Sequence, residues 1–228
     1  MPLRGRAFLA LWNDHSYPDY NFWHTREHVG ERLGIPGILS SRRYVDGAGT
    51  LPAYFTLYEL EDISVLESTP YRQLLTTPTL WSRAMRPGMS RFLRRGFQVI
   101  ESVGAGMAGT LAVSLFPLGA AARDGDVLED IASGRAFSAA HLGFVDASTS
   151  GVPFSVAEAP TDDGEAGVIM LECYDTKDPA DSVAAISDLL YSRGVSASLA
   201  EFSVYRLAFA LNRDDRDRML RFDRMEAG

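Results

Sequence analysis

The chain has 228 residues, 46% of them apolar, and a formal net charge of -8, which is the composition of a globular protein. Its apolar runs stay below the roughly 20 residues of a membrane span, and its acidic total argues against a nucleic-acid partner. Cys173 stands alone, which excludes a disulfide framework. The apolar run after Arg6 is too short for a signal peptide, so we predict a cytoplasmic protein.

The charge is divided unevenly along the chain. Residues 1–104 hold 12 arginines and no lysine against 10 acidic residues, whereas the remainder holds 10 basic residues against 20 acidic ones. Ordinary surface variation is the simpler explanation of this asymmetry. The alternative is that the mildly basic first half favours an anionic small molecule.

The apolar pattern of the first half predicts alternating strands and helices. We predict strands at 5–13, 38–45, 53–61 and 90–101, a helix at 18–33, a second helix from Ser64 toward Leu75, and a helical turn at 80–86. Ser16 is the candidate cap of the first helix, and Pro36-Gly37 ends it. The resulting order is β-α-β-β-α-β, the ferredoxin-like split βαβ pattern.

The same order returns after a hinge at 104–106. We predict strands at 109–116, 141–147, 167–175 and 198–211, helices at 126–140 and 178–190, and a loop at 148–166. The segments 55–62 and 169–176 match at an offset of about 105–115 residues, which indicates an internal duplication.

The duplication predicts an α+β fold of two tandem ferredoxin-like repeats. We place the first repeat, with the candidate site, at 1–104 and the second, without it, at 105–212. A charged tail at 213–228 is expected to be a solvated helix or a loose end. Two such four-stranded sheets can bury their open faces against each other.

The candidate site lies on the first helix. His24 and His28 are two of the four histidines of the chain, with Glu27 between them, and positions four apart share a helix face. Tyr20 and Trp23 add aromatic surface, which suits a pocket better than a dry core. The plainer alternative is that the histidines hydrogen-bond locally and the aromatic residues pack.

Three kinds of chemistry suit this cluster. In the first, His28 is a base, His24 orients it or acts as the acid, and Glu27 tunes the pair. In the second, His-x-x-Glu-His is the inverted zinc-peptidase pattern, which needs a third ligand; the candidates are Glu59, Glu67 and Glu101. In the third, haem is bound by His24, His28 or His141. We favour the first, which needs no metal or other cofactor.

Side chains outside this helix are expected to complete the pocket. Arg42 and Tyr44 share one face of the second strand and Arg43 takes the other. One arginine is expected to hold an anionic group by a bidentate contact, with pairing to surface acids as the alternative. His15 follows the first strand, at an end where ferredoxin-like sheets present side chains. The expected substrate contacts are Arg42, Arg43, Tyr44, Tyr20, Trp23 and His15, with Tyr54, Tyr58 and Trp81 as additional candidates.

A motif of about 25 residues resembles the dimeric α+β barrel superfamily, and within it most of all the EthD-like proteins. It runs from Trp23-His24 and Glu27-His28 through Glu31-Arg32-Leu33 and Ile35-Pro36-Gly37 to Arg42-Arg43-Tyr44. The resemblance implies a pocket between sheet and helices and makes His24 and His28 the positions to carry over. The superfamily includes isomerases, cofactor-free monooxygenases, polyketide cyclases, dehydratases and haem enzymes, so the fold alone does not choose the reaction.

The expected function is cofactor-free acid–base catalysis, of the lyase, isomerase or dehydratase type, on a small aromatic or carbonyl-bearing substrate. One alternative is a non-catalytic protein that binds a hydrophobic metabolite. Another is a metal- or haem-dependent enzyme at the same histidines. A homodimer stays open, because the second repeat of the chain already supplies a second sheet.

Overall fold

The computed structural model describes residues 3–46, 52–117, 128–129, 137–149, 166–174, 188 and 202–219. Within these residues eight antiparallel strands close into a barrel in the order β1-β3-β2-β8-β5-β7-β6-β4. The strands are β1 (Ala7–His15), β2 (Ile38–Asp46), β3 (Tyr54–Leu60), β4 (Met89–Gly104), β5 (Thr110–Pro117), β6 (Phe137–Val145), β7 (Ala166–Cys173) and β8 (Ser203–Asn212).

The described helices belong to the first half of the chain and to its last part. They are α1 (Tyr20–Trp23), a π-helix (His24–His28), α2 (Val29–Leu33), α3 (Thr69–Thr76) and α4 (Leu80–Met85), with 3-10 turns at Ile63–Glu67, Arg86–Gly88, Ala147–Thr149 and Arg213–Asp215. The first three follow one another without a gap, so they form one helical segment where the sequence predicts one.

The strand order confirms the expected fold class. The first half contributes β4-β1-β3-β2 and the second contributes β8-β5-β7-β6, which is the same order of first, second, third and fourth strands in each. The halves meet where β2 pairs with β8 and where β4 pairs with β6. The barrel therefore consists of two ferredoxin-like sheets in one chain. The domain limits at 104 and 212 stay a prediction.

Of the apolar layers that alternation along the strands separates, two frame the candidate site. The side chains of one layer come from both halves and fill the barrel interior; they include Phe8, Trp12, Tyr44, Phe55, Phe97, Leu111, Val168 and Tyr205. The other layer lies between the outer face of the first sheet and the helices, where Val29 and Leu33 pack with Leu9, Tyr58 and Leu75. The candidate site lies in this second layer.

Two predicted helix boundaries are wrong. The second helix does not begin at Ser64, because a 3-10 turn occupies Ile63–Glu67 and the hydroxyl of Ser68 caps α3 by accepting from Tyr71 N–H. The helix expected at 126–140 does not reach its predicted end, because β6 begins at Phe137. Alanines at 139 and 140 favour a helix, but pairing with β4 and β7 overrides that preference. Most of 126–136 and 178–190 lies outside the described residues, as does 150–165.

The start of the tail contacts the helical segment of the site. Arg213 Nη1 donates to Ile35 O at 2.6 Å, and Arg216 Nε donates to Gly30 O at 2.7 Å. Residues 213–219 are helical and none of them is buried, in keeping with the solvated-helix alternative, and two of their guanidinium groups also satisfy carbonyls at the end of α2. Among the described residues, no helix is long and apolar enough to cross a membrane.

Candidate active site

The helical segment changes its hydrogen-bonding pattern at the candidate site. His24–His28 is π-helical, with α-helix on both sides. Short π-helical insertions inside α-helices occur frequently at functional sites. Trp23 and Val29 flank the insertion and are buried, so packing fixes both of its ends. The imidazole centroids of His24 and His28 lie 5.2 Å apart, so the two rings do come together.

Both imidazoles are in a buried and positively charged environment. His24 is 3% exposed, and His28 is half-buried with its Nδ1 atom sealed from solvent. Burial lowers the pKa of each ring well below its ordinary value, and the guanidinium groups of Arg32 and Arg43 lower it further. Both rings are therefore neutral at pH 7.

Arg32 fixes the tautomer of His28. Its Nε lies 3.4 Å from His28 Nε2, and a guanidinium group can only donate. The neutral ring must therefore accept at Nε2 and carry its proton on Nδ1. Within the described part of the chain, that Nδ1 has no hydrogen-bond partner, and neither has Nδ1 of His24. His28 thus holds an N–H donor that a ligand can satisfy.

A cavity of about 50 Å³ lies between the helical segment and the outer face of the first sheet. Its floor is buried and includes Leu9, Arg32, Tyr58, Tyr71 and Arg94, whereas its rim is partly exposed and includes Leu74, Pro78, Arg86 and Met89. This volume is enough for a few water molecules or a small polar group, and the cavity opens to the surface at its rim.

The polar lining of the cavity is rich in guanidinium groups. It consists of His28, Glu31, Arg32, Ser82, Arg86 and Arg94. Arg94 donates to Tyr71 Oη and to Thr149 O, both at 2.9 Å, and Arg86 donates to Leu75 O at 2.9 Å. The guanidinium groups of Arg32 and Arg94 lie 5.6 and 5.7 Å from the centroid of the Tyr71 ring. Three cationic side chains therefore face one carboxylate.

That carboxylate is Glu31, which lies one turn after His28. Its Oε2 is 3.3 Å from Ser82 Oγ, and its side chain is half-buried. Burial raises the pKa of Glu31 above its ordinary value, and the nearby Glu27 adds to the rise. A carboxylate with a raised pKa is a stronger base than a solvated one. Glu31 is therefore the side chain of this cavity best suited to accept a proton.

Glu27 has a different set of partners from those expected. Its Oε1 accepts from Thr79 Oγ1 at 2.7 Å and from Trp23 Nε1 at 3.1 Å, and it lies 3.1 Å from Ser82 Oγ. These contacts join the π-helix to α4. Its described hydrogen bonds thus anchor the helix and leave the histidine tautomer to Arg32.

The two neighbouring arginines of β2 point to opposite sides of the sheet. Arg42 pairs with Glu172 in the barrel interior, where Tyr44 also packs, so neither residue reaches the cavity. Strand alternation puts them on the face of β2 opposite the cavity, so their predicted contact with a substrate is not with the part that lies beside His28 and otherwise stays a prediction. Arg43 faces the helix, and donates to Thr25 Oγ1 at 3.0 Å and to Asn21 O at 3.4 Å.

Of three further residues predicted to contact the substrate, one lines the cavity and two are held within the surrounding fold. Trp23 lines the cavity. Tyr20 is buried beside it, stacks on His15 with ring centroids 4.4 Å apart, and donates to Asn13 Oδ1 at 3.3 Å. His15 accepts from Tyr17 N–H at Nδ1, so its Nε2–H donates to Met85 O at 2.9 Å. Both nitrogens of His15 are used within the fold, which places it outside the cavity lining.

The zinc-peptidase pattern is not completed by the residues that the structure describes. Among them, no group of three His, Cys, Asp or Glu side chains is placed to hold a metal ion. Glu59 accepts from Gly5 N–H and Ser40 Oγ, and Glu101 accepts from Leu128 N–H. His141 lies in the second half, 2.8 Å from Ser102 Oγ. Its Nε2 lies 3.9 Å from Glu172 Oε1 in the barrel interior, whereas the two helix histidines lie outside the first sheet.

The sequence did not single out several residues of the cavity. Arg32 lies four positions after His28, so helical spacing was a signal that could have found it. Arg86, Arg94 and Tyr71 come from a turn, a strand and another helix, and no local pattern relates them to the histidines. Glu31 was noted beside His28, but its burial and raised pKa depend on the tertiary structure.

The whole chain is similar to solved structures of one fold. An anthrone oxidase-like protein matches at a TM-score of 0.60 with 10% identity, over 95% of this chain and 97% of that one. A proposed monooxygenase from Fusobacterium nucleatum matches at 0.51 with 9% identity, over 92% and 95%, and one from Lactobacillus acidophilus at 0.52 with 9% identity, over 91% and 96%. No protein-family model and no curated protein matches the sequence.

These likenesses and the closed barrel define the class of protein. The chain has the dimeric α+β barrel fold, with both ferredoxin-like halves in a single polypeptide, as the resemblance of its sequence motif implied. Identity near 10% shows the fold alone. The reaction has to be argued from the cavity.

Proposed function

We propose that this protein is a small-molecule enzyme that moves a proton at a carbon next to a carbonyl group, without a metal or other cofactor. The observation that carries the proposal is that Glu31, a carboxylate with a raised pKa, and His28, a neutral imidazole, line the same cavity. A carboxylate with a raised pKa is suited to accept a proton, and a neutral imidazole is suited to donate a hydrogen bond to a developing oxyanion.

The proposed step uses two groups. The Glu31 carboxylate removes the proton from the carbon, the electron pair of the C–H bond moves into the carbonyl, and an enolate forms. The Nδ1–H of His28 hydrogen-bonds to the oxygen on which the charge develops. Return of the proton to another carbon gives an isomerase, and loss of a leaving group from the next carbon gives a lyase or dehydratase.

This proposal changes one role expected from the sequence. His28 was the expected base, but its lone pair at Nε2 is occupied by Arg32 and its surroundings are cationic. A base in such surroundings is weak, whereas a hydrogen-bond donor there is effective. We therefore assign the role of base to Glu31 and the role of hydrogen-bond donor to His28. His24 packs against His28 and holds its ring in place.

Proton exchange in D2O, followed by 1H NMR, tests the proposal. Phenylpyruvate and phenylacetone are matched substrates with acidic CH2 protons, the second carrying a methyl group where the first has a carboxylate. The wild type should exchange these protons faster than buffer, and Glu31→Gln should lower the enzymatic rate by about 100-fold or more. Arg83→Gln, on the exposed side of α4, is the matched control and should have no effect.

Two results would overturn the proposal. One is the absence of enzymatic exchange with a panel of aromatic and aliphatic ketones; the other is undiminished exchange in Glu31→Gln. Binding of these ketones without exchange would instead support a non-catalytic binding protein. Because two structural neighbours are described as monooxygenases and one as anthrone oxidase-like, each assay is run under air and under argon.

A further inference from the structure

The cavity contains more positive charge than its own carboxylate can balance. Arg32, Arg86 and Arg94 line it together with Glu31. Glu31 is held near Ser82, and the guanidinium groups of Arg32 and Arg94 lie 5.6 and 5.7 Å from the centroid of the Tyr71 ring. Arg32 and Arg94 are buried without a carboxylate partner among the described residues, and such charges are costly, so the cavity is suited to a ligand that brings negative charge.

Arg32 is the side chain that points most directly to the ligand. It is 7% exposed, and its Nη1 is buried without a hydrogen-bond partner among the described residues. Its Nε is already directed at His28. The bond from Nε to His28 leaves Nη1 as a buried donor that an oxygen of the ligand can satisfy, and Nδ1–H of His28 is a second buried donor without a partner in the described part of the chain.

We infer that the enclosed part of the cavity binds the carboxylate of the substrate, with Arg32 as its main ligand and an aromatic or apolar body lying toward the rim. The inference rests on the proposed function in taking this cavity as the substrate site. It goes further by naming the class of substrate, a small keto acid with an apolar body.

The size and the lining of the cavity agree with a ligand whose carboxylate is buried and whose apolar body lies at the rim. A cavity of this size accommodates a carboxylate beside the buried guanidinium groups of its floor. The partly exposed Leu74, Pro78 and Met89 offer an apolar surface next to that volume. Arg94 is held by Tyr71 and by a backbone carbonyl, so the positive charge of the floor is fixed before a ligand arrives.

Equilibrium binding of two unreactive probes tests the inference. Benzoate and benzamide have nearly the same shape and differ in charge. Calorimetry on the full-length wild type should show benzoate binding at least about tenfold more tightly, because a charge-assisted contact to a guanidinium is stronger than a neutral one. Equal or tighter binding of benzamide would overturn the inference without the need for any variant.

Two variants test whether the preference for benzoate arises in this cavity. Arg32→Gln should weaken benzoate to the level of benzamide and leave benzamide unchanged, whereas Arg83→Gln, which removes one exposed arginine, should change neither. An equal loss of benzoate affinity in both variants would overturn the assignment to this cavity.

The result is separable from that of the proposed reaction. Glu31→Gln removes a negative charge from the cavity, so it should keep or improve benzoate binding while it abolishes exchange. Charge-selective binding without any exchange in the wild type would overturn the proposed reaction alone. Exchange of phenylacetone and phenylpyruvate at equal efficiency, with no preference for benzoate, would overturn the carboxylate inference alone.

Discussion

Arg42 of β2 and Glu172 of β7 form an ion pair inside the barrel, with Nη1 and Oε1 2.7 Å apart. Glu172 is fully buried, and its Oε2 accepts from Ala108 N–H at 3.0 Å. The two strands are not neighbours in the sheet, so the pair connects the halves through the interior as well as along their seams.

This geometry predicts a strong coupling between the two residues. Arg42→Leu or Glu172→Leu should each lower the free energy of unfolding by about 3–5 kcal/mol, because each leaves an unpaired buried charge. The double variant should lose much less than the sum. Urea unfolding monitored by tryptophan fluorescence measures the cycle. Additive losses would contradict the prediction.

Arg6→Leu is the matched control; its pair with Asp62 is exposed and should contribute less than about 1 kcal/mol.

The exchange reaction should depend on pH through Glu31. Burial raises the pKa of Glu31, so the rate should rise with pH through a midpoint above 4.5 and then level off, because the base must be ionised. The groups that face it are Glu27, Arg32, Arg86 and Ser82. Burial holds the pKa of His28 well below 6.5, so His28 adds no second pH-dependent step near neutrality. Initial rates between pH 4 and 9 test this, and a midpoint near 6.5 that disappears in His28→Gln would assign the base to His28 instead.

Acid should destabilise the fold partly through His141. Burial lowers the pKa of its imidazole to about 3, and the charge of Arg42 adds to the fall. Because the folded pKa is depressed, the contribution of His141 is fully present above pH 6.5 and is lost as pH falls toward 3. Over that window the loss is about 1.4 kcal/mol per pH unit for one proton.

His141→Gln should therefore flatten the dependence of the unfolding free energy on pH. The glutamine can still reach Ser102, which faces the ring together with Glu172 and Arg42. Denaturant titrations at pH 7 and pH 5 on the variant and the wild type give the difference in slope. Parallel pH dependences in the two proteins would show that His141 is not responsible.

The turn after α2 should tolerate no side chain at Gly37. Its φ is +87°, and a Cβ there would lie 2.4 Å from Val65 Cγ2. Gly37→Ala should destabilise the protein by about 1–3 kcal/mol, through backbone strain and the displacement of Val65. Gly109→Ala is the control, because a Cβ at Gly109 meets open space. Thermal unfolding compares them, and equal melting temperatures for the two variants would refute the argument.

The periodic parts of the chain could be predicted because their signals are local. The short apolar run of residues 7–12 predicts β1, and the Pro36-Gly37 pair predicts the end of the helical segment, where the structure places a positive φ. The boundary at Phe137 could not be predicted, because alanine preference and strand pairing conflict there and the partners of β6 are distant in sequence.

The sequence by itself determined the four strands of each half, the helical segment that carries His24 and His28 and the position of Arg42 and Arg43 on opposite faces of β2. Those features follow from periods of 2 and 3.6 residues, which each segment displays alone. The tertiary structure decided that Arg32, Arg86 and Arg94 surround one cavity and that Arg42 leaves it for Glu172. It also decided the burial that keeps His28 neutral and raises the pKa of Glu31. Desolvation and charge depend on neighbours that only the closed barrel and its helices bring together.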